Sequence, residues 1–256
     1  MIVLGLDTAT PSSAAALRLA DGRTSEARDD PRPGEHPGHA TRLLGLAREL
    51  LDEEGVGWRE IERIAVGAGP GTFTGLRVGI ATARGLAQSL AVELVSVSSL
   101  RALAHGALVA AEAGTDTSAG EWILAAIDAR RGEVFAAAYR AREPGSLREM
   151  LAPVAVAPAL LPELLARAQE EIGVRVPGWL AVGDGAIRYR AELDAGDVHV
   201  PSGDSPLHRV SAAAVCTLGA DAPAGGGYQS VLPDYRRRPD AELALRGAGA
   251  GEDPPR

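Results

Sequence analysis

An apolar run, Ile2-Val3-Leu4-Gly5-Leu6, opens the chain, and after a polar turn over residues 7–13 a second run, Ala14-Ala15-Ala16-Leu17-Arg18-Leu19, returns toward Asp21-Gly22. Two short apolar runs joined by turn residues read as a β-hairpin. The period then changes: between His39 and Glu54, Ala40, Leu43, Leu44, Ala47, Leu50 and Leu51 recur at i, i+3, i+4 and i+7, with Gly55 just beyond. That spacing predicts a strongly amphipathic helix stopped by a glycine. Ile64-Ala65-Val66 reads as a short buried strand running into Gly67-Ala68-Gly69-Pro70-Gly71-Thr72-Phe73-Thr74-Gly75, a glycine loop that leads directly into a second helix, with Thr72 or Thr74 as its N-cap. In that helix Gly75, Gly79, Ala83 and Ala87 recur every fourth residue as a ridge of minimal side chains, flanked by Leu76, Ile80 and Leu86. Another backbone can approach such a ridge closely.

The same unit occurs again further on. Trp122-Ile123-Leu124-Ala125-Ala126-Ile127 meets Asp128, turns through Ala129-Arg130-Arg131-Gly132 and returns as Glu133-Val134-Phe135-Ala136-Ala137-Ala138-Tyr139. Each hairpin is followed by a helical stretch and a strand ending in Val-Gly-x-Gly, at Val66-Gly67-Ala68-Gly69 and at Val182-Gly183-Asp184-Gly185. The pattern predicts an α/β protein of two hairpin-led halves, residues 1–100 and 101–205. A helix near 208–220 is expected to fold back on the first half, and the Gly/Ala/Pro-rich end, 247–256, is expected to be disordered.

The glycine loop has two readings. Its backbone N–H groups and the positive end of the following helix can hold a phosphate or carboxylate, or the glycines can serve only a sharp strand-to-helix turn. Neither named phosphate loop is present: a Walker loop needs lysine and all 26 basic residues are Arg, while the G-x-G-x-x-G spacing of a dinucleotide site is missing. What remains is a phosphate- or nucleotide-type cleft in degenerate form, framed by Asp7, Thr8, Gly69, Gly71 and Thr72. His36 and His39 are three apart, but Pro37 and Gly38 break the helical face a metal pair would use, so they read as surface or capping residues. His105, His199 and His208 have no acid or nucleophile in a recognisable local pattern. No catalytic residue and no metal ligand is assigned.

Composition narrows the partners. A formal net charge of −8 argues against broad contact with a phosphate backbone, although Arg236-Arg237-Arg238 forms a local basic patch. Without lysine there is no Schiff base or pyridoxal anchor. The single Cys216 reads as a buried, inert thiol. The absence of a signal peptide or membrane-length apolar run gives the expectation of a cytoplasmic protein.

Leu4-Gly5-Leu6-Asp7-Thr8-Ala9-Thr10, His39 with Arg42-Leu43-Leu44, the run over 67–87, Val97-Ser98-Ser99-Leu100, Ile127-Asp128-Ala129-Arg130-Arg131-Gly132-Glu133-Val134, Val182-Gly183-Asp184-Gly185-Ala186 and Pro233-Asp234-Tyr235-Arg236 together resemble the TsaB (YeaZ) family. That resemblance covers nearly the whole chain. It implies a two-lobed fold of the actin, sugar-kinase and Hsp70 (ASKHA) type and a non-catalytic subunit of the machinery that makes N6-threonylcarbamoyladenosine (t6A) in tRNA. The catalytic relative TsaD carries metal-binding histidines where this chain has Ser99 and Leu103, so the metal centre is expected to be absent. The implied partners are a TsaD-like catalytic subunit and a TsaE-like ATPase, with tRNA contacted only indirectly, no membrane and no cofactor. Residual nucleotide binding and a homodimer through the same helices stay open. The docking surface is expected on Leu43, Leu44, Ala47, Leu50 and Leu51 of the first helix and Gly75, Leu76, Gly79, Ala83 and Leu86 of the second. The competing readings are an ATP-dependent phosphotransferase of the sugar-kinase type using Asp7 and the glycine loop, and a metallopeptidase, which would require bound zinc or iron.

Overall fold

The computed structural model describes residues 1–32, 34–113, 121–142, 145–173, 176–194, 197–223 and 225–236. The expectation of a disordered end at 247–256 lies outside these residues. Strand β1 (Val3–Asp7) pairs antiparallel with β2 (Ser13–Arg18), and β2 pairs antiparallel with β3 (Thr24–Asp29). On its other side β1 lies parallel to β4 (Arg63–Gly67), which lies parallel to β5 (Glu93–Val97). A second sheet repeats the plan. Strands β6 (Trp122–Arg130), β7 (Glu133–Ala141) and β8 (Leu147–Val156) form an antiparallel meander, and β9 (Trp179–Val182) and β10 (Val198–His199) continue in parallel beyond β6. The orders β3-β2-β1-β4-β5 and β8-β7-β6-β9-β10 match strand for strand. Two copies of one mixed sheet make the two-lobed, duplicated ASKHA architecture.

Seven helices cover these sheets among the described residues: α1 (His39–Glu54), α2 (Phe73–Leu90), α3 (Ser99–Glu112), α4 (Leu161–Ile172), α5 (Asp184–Arg188), α6 (Arg190–Leu193) and α7 (Ala212–Ala220). None is long and apolar enough to cross a membrane. The amphipathic stripe places α1 where the sequence predicts it, and Gly55 closes it in the left-handed conformation, donating its N–H to the Leu51 carbonyl. On the outer face of the first sheet, Leu4, Leu6, Leu17, Ile64 and Val66 meet Leu43, Leu46, Leu50 and Leu51 of α1 and Ile80, Ala83 and Ala87 of α2. Each fully buried leucine contributes roughly 1.5–3 kcal/mol, so the α1 stripe is a principal clamp on this sheet. On the inner face Val3, Ala16, Ala65 and Val95 share a core with α3 and α7, and that core continues into Ile123, Ile127, Tyr139 and Val182 of the second sheet. Helices α3 and α7 therefore fill the seam between the lobes.

Two strands depart from the hydrophobic pattern. Strand β3, Thr24-Ser25-Glu26-Ala27-Arg28-Asp29, has no apolar alternation to betray it. Its charges are used instead: Glu26 accepts hydrogen bonds from Ser211 Oγ (2.8 Å) and the Ala213 N–H (2.9 Å) at the N-terminal end of α7. At the other end of α7, Arg63 donates to the carbonyls of Gly219 (2.9 Å) and Ala220 (3.0 Å) while pairing with Glu93 at 2.6 Å. Anion at the N-terminus and cation at the C-terminus both complement the helix dipole. Strand β8, also not anticipated, is an edge strand with mostly half-exposed residues.

Helix α7 sits so close to β1 that a Cβ on Gly5 would lie 2.6 Å from Cys216 Sγ and 2.7 Å from the Ala212 carbonyl oxygen. Cys216 is buried, its thiol pushed up to about 12 by desolvation, in keeping with an inert role. Gly5→Val is expected to lower stability by about 1–3 kcal/mol, the range for overpacking a core. A urea midpoint equal to that of the parent would contradict this seam.

Candidate functional site

Several backbone groups of the glycine loop are paired with the chain's own backbone. The Ala68 N–H donates to the Val97 carbonyl (2.8 Å), the Gly69 carbonyl accepts from the Ser99 N–H (2.8 Å), and the Thr72 N–H donates to the Ala9 carbonyl (2.7 Å). Thr8 fits into the helix that follows: its Oγ1 donates to the Gly75 carbonyl at 2.7 Å, and a Cβ on either Gly75 or Gly79 would overlap Thr8 atoms. A Cβ on Gly71 would overlap the Ala9 carbonyl oxygen in the same way. The hollow that could wrap an anion is thus occupied by the turn between β1 and β2. Thr72 stands at the N-cap position of α2, but its side chain makes no capping bond.

Asp7 closes this arrangement from below. Its Oδ1 accepts from the Ala9 N–H (2.9 Å) and its Oδ2 from Ser99 Oγ (2.8 Å), against a Gly67 with no room for a side chain. Burial pushes the Asp7 carboxyl above the usual carboxylate range, opposed by those two hydrogen bonds and by the charge of Arg28. Ser99 and Leu103, at the positions of the expected metal ligands, are buried, Ser99 on Asp7 and Leu103 in the inter-lobe core.

These contacts revise the expected docking face. Leu43, Ala47, Leu50, Leu51, Gly75, Leu76, Gly79 and Ala83 are buried within this chain. The physical reason is that the thin ridge receives Thr8, and the apolar stripe of α1 covers the sheet. Leu86 is half-buried at the margin of that core, and Leu44 alone of the ten is well exposed, at 49%. The solvent side of the pair carries Leu44 together with residues outside that set: half-exposed Gly45 on α1, and Val78, Ala81 and Gly85 on α2. At one end Phe73 stacks obliquely on Tyr235 with ring centroids 5.3 Å apart, and the Arg77 guanidinium lies 3.7 Å from the Phe73 ring centre. Tyr235 belongs to a C-terminal strap that runs beside α2, held by Arg84 on the Val231 carbonyl and by Arg77 Nε on the Tyr235 hydroxyl at 2.9 Å. The Pro233-Asp234-Tyr235-Arg236 motif marks this strap in the sequence; its docking on α2 has no local signal.

Between the lobes opens a cleft of about 820 Å³, walled by His39, Gly71, Thr72 and Phe73 on one side and Asp128, Arg130 and Phe135 on the other. Of the residues expected to frame a phosphate site, Gly71 and Thr72 reach this wall, whereas Asp7, Thr8 and Gly69 are buried beneath it. His39 is buried, not a surface residue, and its Nδ1 lies 2.9 Å from Ser13 Oγ. Asp128, the second-lobe counterpart of Asp7, accepts from the Arg130 N–H (2.9 Å) and has the Arg130 and Arg188 guanidinium groups each at 3.5 Å. Its own N–H donates to Asp184 Oδ1 (3.0 Å), and burial, reinforced by the Asp128 charge, pushes the Asp184 carboxyl up. Arg130 and Arg131 both adopt left-handed φ, at 65° and 53°, in the hairpin turn that faces the cleft. Among the described residues no group of three or more His, Cys, Asp or Glu could hold a metal ion.

The geometry defines a two-lobed ASKHA-type protein whose glycine hollow is filled by its own hairpin turn. The family model for TsaD, the tRNA N6-adenosine threonylcarbamoyltransferase, matches residues 35–167. The chain is 32% identical over 207 residues to the Escherichia coli K12 tRNA threonylcarbamoyladenosine biosynthesis protein TsaB, covering 81% of this chain and 84% of that one. It is similar also to the solved structure of YeaZ from Pseudomonas aeruginosa, with a TM-score of 0.70 and 30% identity over 91% of this chain and 99% of that chain. The chain belongs to the TsaB (YeaZ) family.

The raised Asp7 pKa has a signed consequence. The folded state keeps a proton that the unfolded chain releases near a pH of about 3.9. That stabilisation is full below the unfolded pKa and is lost as pH rises through the folded value. Asp7→Asn, which cannot ionise, is expected to gain stability relative to the parent between pH 4 and pH 8, measured by urea unfolding at both. A difference that stays constant, or shrinks toward pH 8, contradicts the assignment.

Proposed function

We propose that this protein is a non-catalytic docking subunit of the tRNA t6A machinery, and that it pairs with a TsaD-like catalytic subunit through the outward side of α1 and α2. The observation that carries the reading is a pair of glycines with no internal use. Gly45 and Gly85 lie in the middle of helices, and a Cβ built on either meets nothing within 4 Å. Glycine in a helix interior costs roughly 0.5–1 kcal/mol relative to alanine, so folding alone gives no reason for either. With Ala81 and exposed Leu44 nearby on the same helix pair, they leave a thin, partly apolar surface onto which a partner's helices can pack at short range. The names of the TsaB relatives support the pathway.

In this reading the inter-lobe cleft performs no chemistry and the chain needs no metal or nucleotide for its role. A TsaE-like ATPase joins the assembly as a third component, tRNA is contacted through the partners, and assembly takes place in the cytoplasm. A homodimer through the same surface would compete with the catalytic partner. The phosphotransferase reading is disfavoured by the close fit of the Thr8-Ala9 turn against the glycine loop, by the internal hydrogen bonds that hold the Ala68 and Thr72 N–H groups, and by the burial of Asp7.

Position 85 separates folding from docking. Gly85→Ala is expected to raise stability by about 0.5–1 kcal/mol by helix propensity, and Gly85→Trp to remain folded yet lose co-elution with the catalytic subunit on size exclusion. Gly79→Leu is unsuited to this purpose, since it collides with Thr8 and is expected to unfold the protein. Full-affinity co-elution of a folded Gly85→Trp variant would overturn the assigned surface.

A further inference from the structure

We propose that a second pocket, between α3, α7 and the turn at residues 206–209, is a binding site for a small carboxylate with a compact apolar body. It encloses about 390 Å³, within the range of small-molecule sites, and shares no lining residue with the inter-lobe cleft. It is independent of the docking surface on α1 and α2.

The first observation is His105 of α3, which lines the pocket. Its side chain is 4% exposed, and its Nδ1 is buried with no hydrogen-bond partner. A buried polar atom left unpaired costs about 1–3 kcal/mol, and native interiors retain few of them. The nitrogen itself is shielded, while the His105 ring lines a cavity large enough that a turn of the ring would bring it a partner. Burial holds the imidazole below its ordinary pKa, against the charges of Glu112 and Asp221 and with that of Arg101, and an uncharged imidazole offers one N–H and one lone pair.

The second observation is the distribution of charge and apolar surface around it. Val109, Leu207, Ala213 and Ala214 supply apolar walls, with Val109 nearly half exposed at the surface. Arg209 is the one charged side chain of the lining, and no carboxylate faces the cavity among the described residues. Its ion pair with Asp30, at 3.7 Å and half exposed, is of the weak surface kind and competes little for an incoming anion. The hydroxyls are committed elsewhere: Ser211 donates to Glu26, Thr217 to the Ala213 carbonyl and Thr24 to the Gly22 carbonyl. His105 and Arg209 are therefore the groups that read a ligand's polar atoms.

The site also touches both lobes. Helix α7 rests on the first sheet, while the Pro206–His208 turn is tied to the second through His208, whose Nδ1 lies 3.1 Å from the Gly183 nitrogen at the start of α5. An occupant would bear on the seam between them.

The test uses the full chain and phenylacetate as the probe, followed by methyl and imidazole NMR. Saturable shifts are expected at Val109, Leu207 and the His105 ring. Benzyl alcohol, a similar ring without the charge, is expected to bind at least about tenfold more weakly, and Arg209→Gln to reduce phenylacetate to that level. Val109→Trp, at a half-exposed position, is expected to block both probes. Failure to saturate by about 10 mM phenylacetate, shifts confined to other regions, or undiminished binding in Val109→Trp would overturn the site. Equal binding of the two probes would overturn its preference for a carboxylate.

Discussion

The hydroxyl and carbonyl of Thr8, set against the backbone of α2 at Gly75 and Gly79, fix the rest of the first lobe. A helix can come this near to a hairpin turn only where no side chain stands between them. Once it does, the Ala9 carbonyl takes the Thr72 N–H, Asp7 is closed beneath Gly67 and Ser99, and the side of the loop that faces the β1–β2 turn is filled, leaving only its outer edge at Gly71 and Thr72 on the inter-lobe cleft. The same backbone features that would make a phosphate cradle have become an internal joint.

That joint also decides which side of α2 is available. With Gly75, Gly79, Ala83 and Ala87 turned inward, helical periodicity turns Arg77, Ala81 and Gly85 outward. α1 behaves likewise, burying its leucine stripe and leaving Leu44 in solvent. The functional reading therefore moves about half a turn around each helix without changing the helices involved. It rests on residues whose presence the fold alone does not explain.

Much of this was legible in the sequence. The limits of α1 follow from a 3.6-residue stripe ended by Gly55, and the second hairpin from two apolar runs around Arg130-Arg131-Gly132. The duplication showed in the paired Val-Gly-x-Gly strand ends. Strand β3 was illegible because its residues are chosen for charge, with Glu26 serving a helix nearly two hundred residues away in the chain. The four-residue glycine ridge correctly signalled close approach by a backbone, but periodicity cannot say whose, and the answer was the chain's own turn. His105 and His208 gave no local signal, since what matters at each is burial beside elements distant in sequence.

Hydroxyl-radical footprinting of the protein, alone and with its catalytic partner, addresses the central claim directly. Leu44, Val109 and Leu160 are almost equally exposed, at 49%, 47% and 49%, so each serves as a control for the others. If the outward side of α1 and α2 is the docking surface, Leu44 is protected on complex formation while Val109 and Leu160 keep their reactivity. Protection of Val109 or Leu160 with Leu44 unchanged would contradict it.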